Sequence, residues 1–143
     1  MHQKLVLFPH QLKEEFLSPA ITGDYIAALA VSETGGGSDV AALKTFARKD
    51  GDDYIIDGEK MWITNAKQAD FFCTLVNTSN ESPHKNKSLI LIPASSAGLT
   101  IGDKIEKLGQ HTSDTAPIFF DNVRVWLNLQ NVCFSLGEKA CFL

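Results

Sequence analysis

The segment AALKTFARKDGDDYIIDGEKMWITNA, residues 41–66, constrains this chain more than any other. It sets short alternating stretches of polar and apolar residues between glycine-containing turns, the pattern of strands joined by tight turns. Lys49–Asp53 reads as one such turn. Asp57-Gly58 reads as a two-residue turn closing a hairpin, because glycine adopts positive φ at little cost. Ile56 then faces Glu59, and Tyr54 faces Met61. Tyr54, Ile56, Met61 and Ile63 share one face by the period of two and read as core. Trp62 and Thr64 fall on the other face, with Ile55 and Lys60. A tryptophan beside a hydroxyl on a non-core face needs a cover. Either another strand or domain packs there, or a flat apolar ligand lies on Trp62 with a polar atom within reach of Thr64.

The remaining elements extend the same reading. HQLKEEFLSPAI predicts a short helix from about His10 that stops before Pro19. YIAALAVSE is a candidate buried strand, with a helix still open on pattern alone. FFCTLVN and SLILIP read as strands around a polar loop, Thr78–Lys87, and GLTIG as a short one. APIFFDNVRVW is rich in β-branched and aromatic residues around an Asp121-Asn122 turn signal. The fold expected is mainly β, a small barrel or sandwich with a short N-terminal helix. With 44% apolar and 21% charged residues the chain can fill a core, so disorder is not expected. A net charge of −4, with no Lys/Arg cluster, argues against nucleic acid as a partner. Apolar stretches such as Ile26–Val31 are too short to span a bilayer. The opening MHQKLVLFPHQ resembles neither a secretory signal nor an organelle transit peptide, so no address is read from it. Cys73, Cys133 and Cys141 form no C-x-x-C pair, and a reducing compartment is the expectation. His2, His10, His84 and His111 lack metal-ligand spacing, so no metal site is expected.

Gly35-Gly36-Gly37, within ETGGGSD, fits neither a P-loop nor a G-x-G-x-x-G dinucleotide turn. A flexible turn is one reading. The other uses the flanking hydroxyls of Ser32, Thr34 and Ser38, with bare backbone that can approach a ligand closely. Glu33 and Asp39 make a bare anion an unsuitable occupant, which favours a neutral or backbone-mediated contact.

Three blocks in order, LAVSETGGGSD, DGDDYIIDGEKMWITNA and KLGQHTSDTAPIFFDNVRV, closely resemble the middle domain of the acyl-CoA dehydrogenases. The resemblance covers roughly residues 10–125. It implies a β-barrel that forms one wall of a flavin site in enzymes that oxidise acyl-CoA to trans-2-enoyl-CoA. By that resemblance FAD is the cofactor, acyl-CoA the substrate and an electron-transfer flavoprotein the electron acceptor. Leu29, Ala30, Val31, Ser32, Gly35, Gly36, Gly37 and Ser38 would run along the isoalloxazine. Ser32 would hydrogen-bond the ring, Trp62 would pack on it beside Ile63, and Thr64 would reach the N5 region. Ser38 would also touch the substrate. The family often has Pro where this chain has Thr34 and Ala where it has Gly36. Both departures loosen the loop, at an ordering cost of a few tenths to about 1 kcal/mol.

The resemblance divides the chain into a remnant of an N-terminal helical domain and linker (1–25), the barrel (26–125) and an atypical tail (126–143). The family's carboxylate base lies in a C-terminal helical part, and no residue here matches it. Oligomer contacts would lie in the same missing parts. Two functions are therefore expected to compete. The chain is the flavin- and acyl-CoA-contacting part of a dehydrogenase, inactive alone, or it is a non-catalytic isoform or remnant that only binds. The aberrant tail WLNLQNVCFSLGEKACFL, with Trp126, Phe134 and Phe142 lacking an evident core, favours the second. Intact Ser32, Trp62 and Thr64 favour the first. The family suggests a mitochondrial location in a eukaryote and a cytoplasmic one in a bacterium.

Overall fold

The structure, a computed structural model, describes residues 10–126 and 132–135. Residues 1–9 of the N-terminal stretch read for a targeting signal, and Cys141, Phe142 and LGEK of the tail, lie outside the described residues.

Helical residues come first: α1 (His10–Leu12), a π-helical turn (Lys13–Leu17) and α2 (Ser18–Thr22). The helix does not stop before Pro19, as its sequence suggested. The wider turn puts Pro19 at the start of α2, where its missing N–H costs nothing, and Ser18 N–H bonds back to Lys13 O. The helix ends instead at Gly23, whose φ of 87° provides the left-handed cap.

Eight strands follow among the described residues: β1 (Ala27–Ala30), β2 (Phe46–Asp50), β3 (Asp53–Thr64), β4 (Phe71–Asn77), β5 (Lys87–Pro93), β6 (Leu99–Ile101), β7 (Thr115–Trp126) and β8 (Val132–Ser135). They form a curled sheet, a half-barrel, in the order β6-β7-β3-β2-β4-β5-β8, with β1 parallel to β4. The tail, expected to be atypical, supplies β8, whose backbone pairs with β5 from Ser88 to Ile90.

β4 and β5 are covered on both faces, which explains why FFCTLV is apolar but for Thr74 and LILI is apolar throughout. Phe72, Val76, Ile90 and Ile92 point into the curl with Ile56, Ile63, Ile118 and Val123. Phe71 and Leu91 point outward and are covered by Leu12 and Phe16 of the helix. The Phe16 and Phe71 rings meet edge to face at 5.0 Å.

The long ribbon differs from its sequence reading. The hairpin turn between β2 and β3 is Gly51-Asp52, closed by the Asp50–Asp53 pair, and not Asp57-Gly58. β3 runs straight through Asp57-Gly58, and β7 runs through Asp121-Asn122. The two turn signals meet across the β3–β7 ladder. Ile56 pairs with Val123 and Gly58 with Phe120, so one residue faces two in a bulge. Asn122, at φ 50°, donates its backbone N–H to Asp57 Oδ1 at 2.8 Å. A second irregularity falls between Lys60 and Ile63. These shifts break the simple alternation. Ile56 and Ile63 do reach the core, and Tyr54 packs partly against it, but Lys60, expected on the outer face, is fully buried.

Candidate functional site

A cleft of about 470 Å³ opens between the end of β1 and the end of β3. Its walls are Ala27, Ala28, Leu29, Val31 and Ser32 on one side, and Trp62, Ile63, Thr64 and Asn65 on the other. The gap follows from the sheet: β1 pairs with β4 and the end of β3 pairs with β7. Where the walls converge, Met61 N–H donates to Ser32 O at 2.8 Å.

Trp62 is half-exposed at 55%, with a backbone φ of 59°. A bulky residue in the left-handed region is strained by about 1–3 kcal/mol, and such strain collects at ligand sites. The bulge that precedes Ile63 forces this angle and turns the indole away from the core. Leu29, 63% exposed, adds an apolar surface opposite. Among the described residues no charged side chain lines the cleft. A flat aromatic face, apolar neighbours and the hydroxyl-bearing Ser32 and Thr64 suit a planar ligand with a polar edge better than a phosphate.

Of the site residues expected from sequence, Leu29, Val31, Ser32, Trp62, Ile63 and Thr64 stand together in this wall. Ala30 points the other way and is buried in the barrel core. Gly35, Gly36, Gly37 and Ser38 are outside the lining. They form the turn behind Ser32: Glu33 and Gly36 exchange backbone hydrogen bonds of 2.7 and 3.2 Å. A side chain at Gly37 would meet Ser32 Oγ at 3.3 Å, and one at Gly36 would crowd Asp39 O at 3.1 Å. Thr34 ties the loop down by donating to Glu59 Oε1 at 2.5 Å.

Sequence reasoning missed the group beneath the cleft. Glu33 points inward and Lys60 meets it, Nζ to Oε1 at 2.9 Å, with both side chains buried. Lys60 Nζ also donates to Val31 O at 3.0 Å. Glu33 accepts from Lys44 N–H at 2.6 Å, Thr45 N–H at 3.0 Å and Thr45 Oγ1 at 2.6 Å. Burial alone would raise the Glu33 carboxyl, but the donors from Thr45, Lys44 and Lys60 outweigh it and hold it below its usual range. Burial draws the Lys60 ammonium below its usual range, with Glu33 opposing that shift. The one signal available was a glutamate next to Ser32 and a lysine two positions before Trp62. Their pairing across 27 positions was not readable.

The family model of the acyl-CoA dehydrogenase middle domain matches residues 28–123. The chain belongs to this family. The short-chain specific acyl-CoA dehydrogenase of rat mitochondria is 38% identical over 115 residues, covering 80% of this chain and 28% of the rat protein. The crystal structure of an acyl-CoA dehydrogenase from Geobacillus kaustophilus superposes with a TM-score of 0.82 at 38% identity, over 87% of this chain and 33% of that one. Butyryl-CoA dehydrogenase from Megasphaera elsdenii gives 0.80 at 30% identity, over 84% and 31%. The chain thus spans about a third or less of the length of these relatives. Among its described residues no helix is long and apolar enough to cross a membrane.

Proposed function

We propose that this chain is the FAD- and acyl-CoA-contacting middle domain of an enzyme that dehydrogenates acyl-CoA to trans-2-enoyl-CoA. The observation that carries the reading is Trp62, held half-exposed at a left-handed φ on a cleft with hydroxyl residues on both walls. FAD supplies acceptance of the hydride leaving the β-carbon of the thioester. Trp62 supports one face of the ring, and Leu29, Val31 and Ile63 keep water from it. Ser32 and Thr64 hydrogen-bond its polar edge, and Ser38, at the end of the glycine turn, borders the acyl-CoA. Gly35–Gly37 act indirectly, by setting the turn that places Ser32. Residues 26–125 are the unit that does this, and electrons pass on to an electron-transfer flavoprotein.

Among the described residues the cleft walls carry no Asp, Glu, His or Lys. A proton acceptor for the α-carbon therefore has to come from outside them, and the chain alone is inactive by this reading. Titrating the purified chain with FAD, followed by quenching of flavin fluorescence, tests the assignment. Saturable binding in the micromolar range, about 8 kcal/mol, is expected. Failure to saturate at high protein concentration would remove the chain's claim to hold its side of the flavin site. Bleaching of bound flavin by an acyl-CoA would reveal a base on this chain and overturn the expected inactivity.

A further inference from the structure

The buried pair Glu33–Lys60 lies outside the cleft lining, yet it touches both walls. Lys60 immediately precedes Met61-Trp62, and its ammonium reaches back to Val31 O and Glu33 Oε1 at 3.0 and 2.9 Å. Met61 N–H reaches Ser32 O at 2.8 Å, so consecutive residues of β3 grip consecutive residues of the opposite wall. Glu33 in turn fixes Lys44 and Thr45, and the single Thr45 hydroxyl proton is placed between Glu33 Oε1 at 2.6 Å and Glu59 O at 2.9 Å. The network runs from β3 to the segment after β1 and on to Lys44–Thr45, which lead into β2, and β2 pairs with β3 again.

A buried ion pair is an expensive way to hold a core, since apolar residues of like volume stabilise as well or better. What the pair adds is geometry. The β3–β7 ladder is interrupted between Lys60 and Ile63, where Trp62 takes its strained angle. A strained angle persists only when its surroundings over-determine it. The Lys60 side chain supplies the constraint on the side where the ladder does not.

We propose that the Glu33–Lys60 pair is a positioning device, fixing the spacing between the Val31–Ser32 wall and the Trp62–Thr64 wall of the cleft. Its effect on ligand binding rests on the flavin reading above; its effect on the walls does not. Neither residue touches the ligand.

The test compares the full chain with Glu33→Gln/Lys60→Met, which removes both charges together, and with Glu33→Asp, which keeps the charge and shortens its reach. Two quantities are read. The first is hydrogen exchange of the Met61 amide, with the Leu91 amide of the β4–β5 pair as an internal reference. The second is FAD affinity. Expected is a loss of Met61 protection with Leu91 protection and thermal midpoint retained. FAD affinity should fall by about tenfold or more, the scale of a misplaced binding wall. A folded variant whose Met61 protection falls only in step with Leu91 overturns the proposal, because the pair would then be structural. Unchanged FAD affinity in a folded variant also overturns it when the unmodified chain binds FAD. If the unmodified chain does not bind FAD, the flavin reading fails, and the Met61 amide still decides the positioning role. If the double variant does not fold, Glu33→Asp decides.

Discussion

Trp62 occupies a backbone region that favours glycine, at φ 59°. Two substitutions separate its strain from its surface. Trp62→Ala removes the indole and keeps a Cβ in the strained angle, whereas Trp62→Gly removes both. Glycine in a strand is ordinarily less stable than alanine by roughly 0.5–1 kcal/mol. Here the order should reverse, with Trp62→Gly the more stable by about 1 kcal/mol, because the left-handed penalty disappears. Urea unfolding of the two variants checks it, and the ordinary order would mean the angle carries no strain. Both variants should weaken FAD by more than about 1 kcal/mol, the worth of a lost aromatic partner. Thr74 poses the opposite case. It is fully buried in β4, and its hydroxyl has no hydrogen-bond partner. Thr74→Val should raise stability by up to about 1 kcal/mol, since an orphaned buried hydroxyl pays its desolvation without return. A lowered midpoint would show that the hydroxyl is satisfied in solution. Trp62 and Thr64 were legible as a pair on the non-core face because they sit two apart on one strand. Lys60 was not, since a charged residue predicts a solvated face unless its partner is known.

At the scale of elements, some short strands were readable: FFCTLVN coincides with β4, and β6 is the LTI inside GLTIG. The hairpin was misplaced for a physical reason. An Asp-Gly or Asp-Asn step marks backbone that bends at positive φ, and a bulge uses that freedom as readily as a turn. Only the opposite strand decides which. Asp57 and Asn122 lie 65 positions apart, and their contact is what converts two turn signals into one bulge. Gly58 shows how tightly the bend is packed: a Cβ there would lie 2.8 Å from Thr45 Cα, at φ 138°. Asp57→Ala removes the acceptor for Asn122 N–H and should cost about 1 kcal/mol. It should also raise amide exchange at Asn122 and its β7 neighbours while β4 and β5 stay protected. Uniform loss of protection would mean that the bulge contact holds the whole sheet and not this ribbon alone. Pro19 was misread for a similar reason: a π-helical turn restarts the helix at the proline, and no residue type announces such a turn.

Across the whole molecule, the half-barrel buries the Glu33 carboxylate, and that contributes to its response to acid. The Glu33 carboxyl is held below its ordinary range in the folded chain, despite burial, because Thr45, Lys44 and Lys60 donate to it. In the unfolded chain it returns to about the ordinary glutamate value. A carboxyl depressed on folding stabilises the fold fully above the unfolded value, and that contribution is lost as pH falls through the folded value. Lys60 acts at the other end. Burial lowers its affinity for a proton below that of an ordinary lysine, so it opposes folding at neutral pH and the opposition eases only as pH climbs toward 10.5. Replacing both by Glu33→Gln/Lys60→Met removes both dependences. Unfolding free energy measured by urea at a series of pH values should therefore fall less steeply below pH 4.5 in the double variant than in the unmodified chain. Parallel curves would place the acid sensitivity in other carboxylates. They would also mean that Glu33 gains nothing from its donors, in conflict with a buried carboxylate that accepts from the backbone of Lys44 and Thr45 as well as from two side chains.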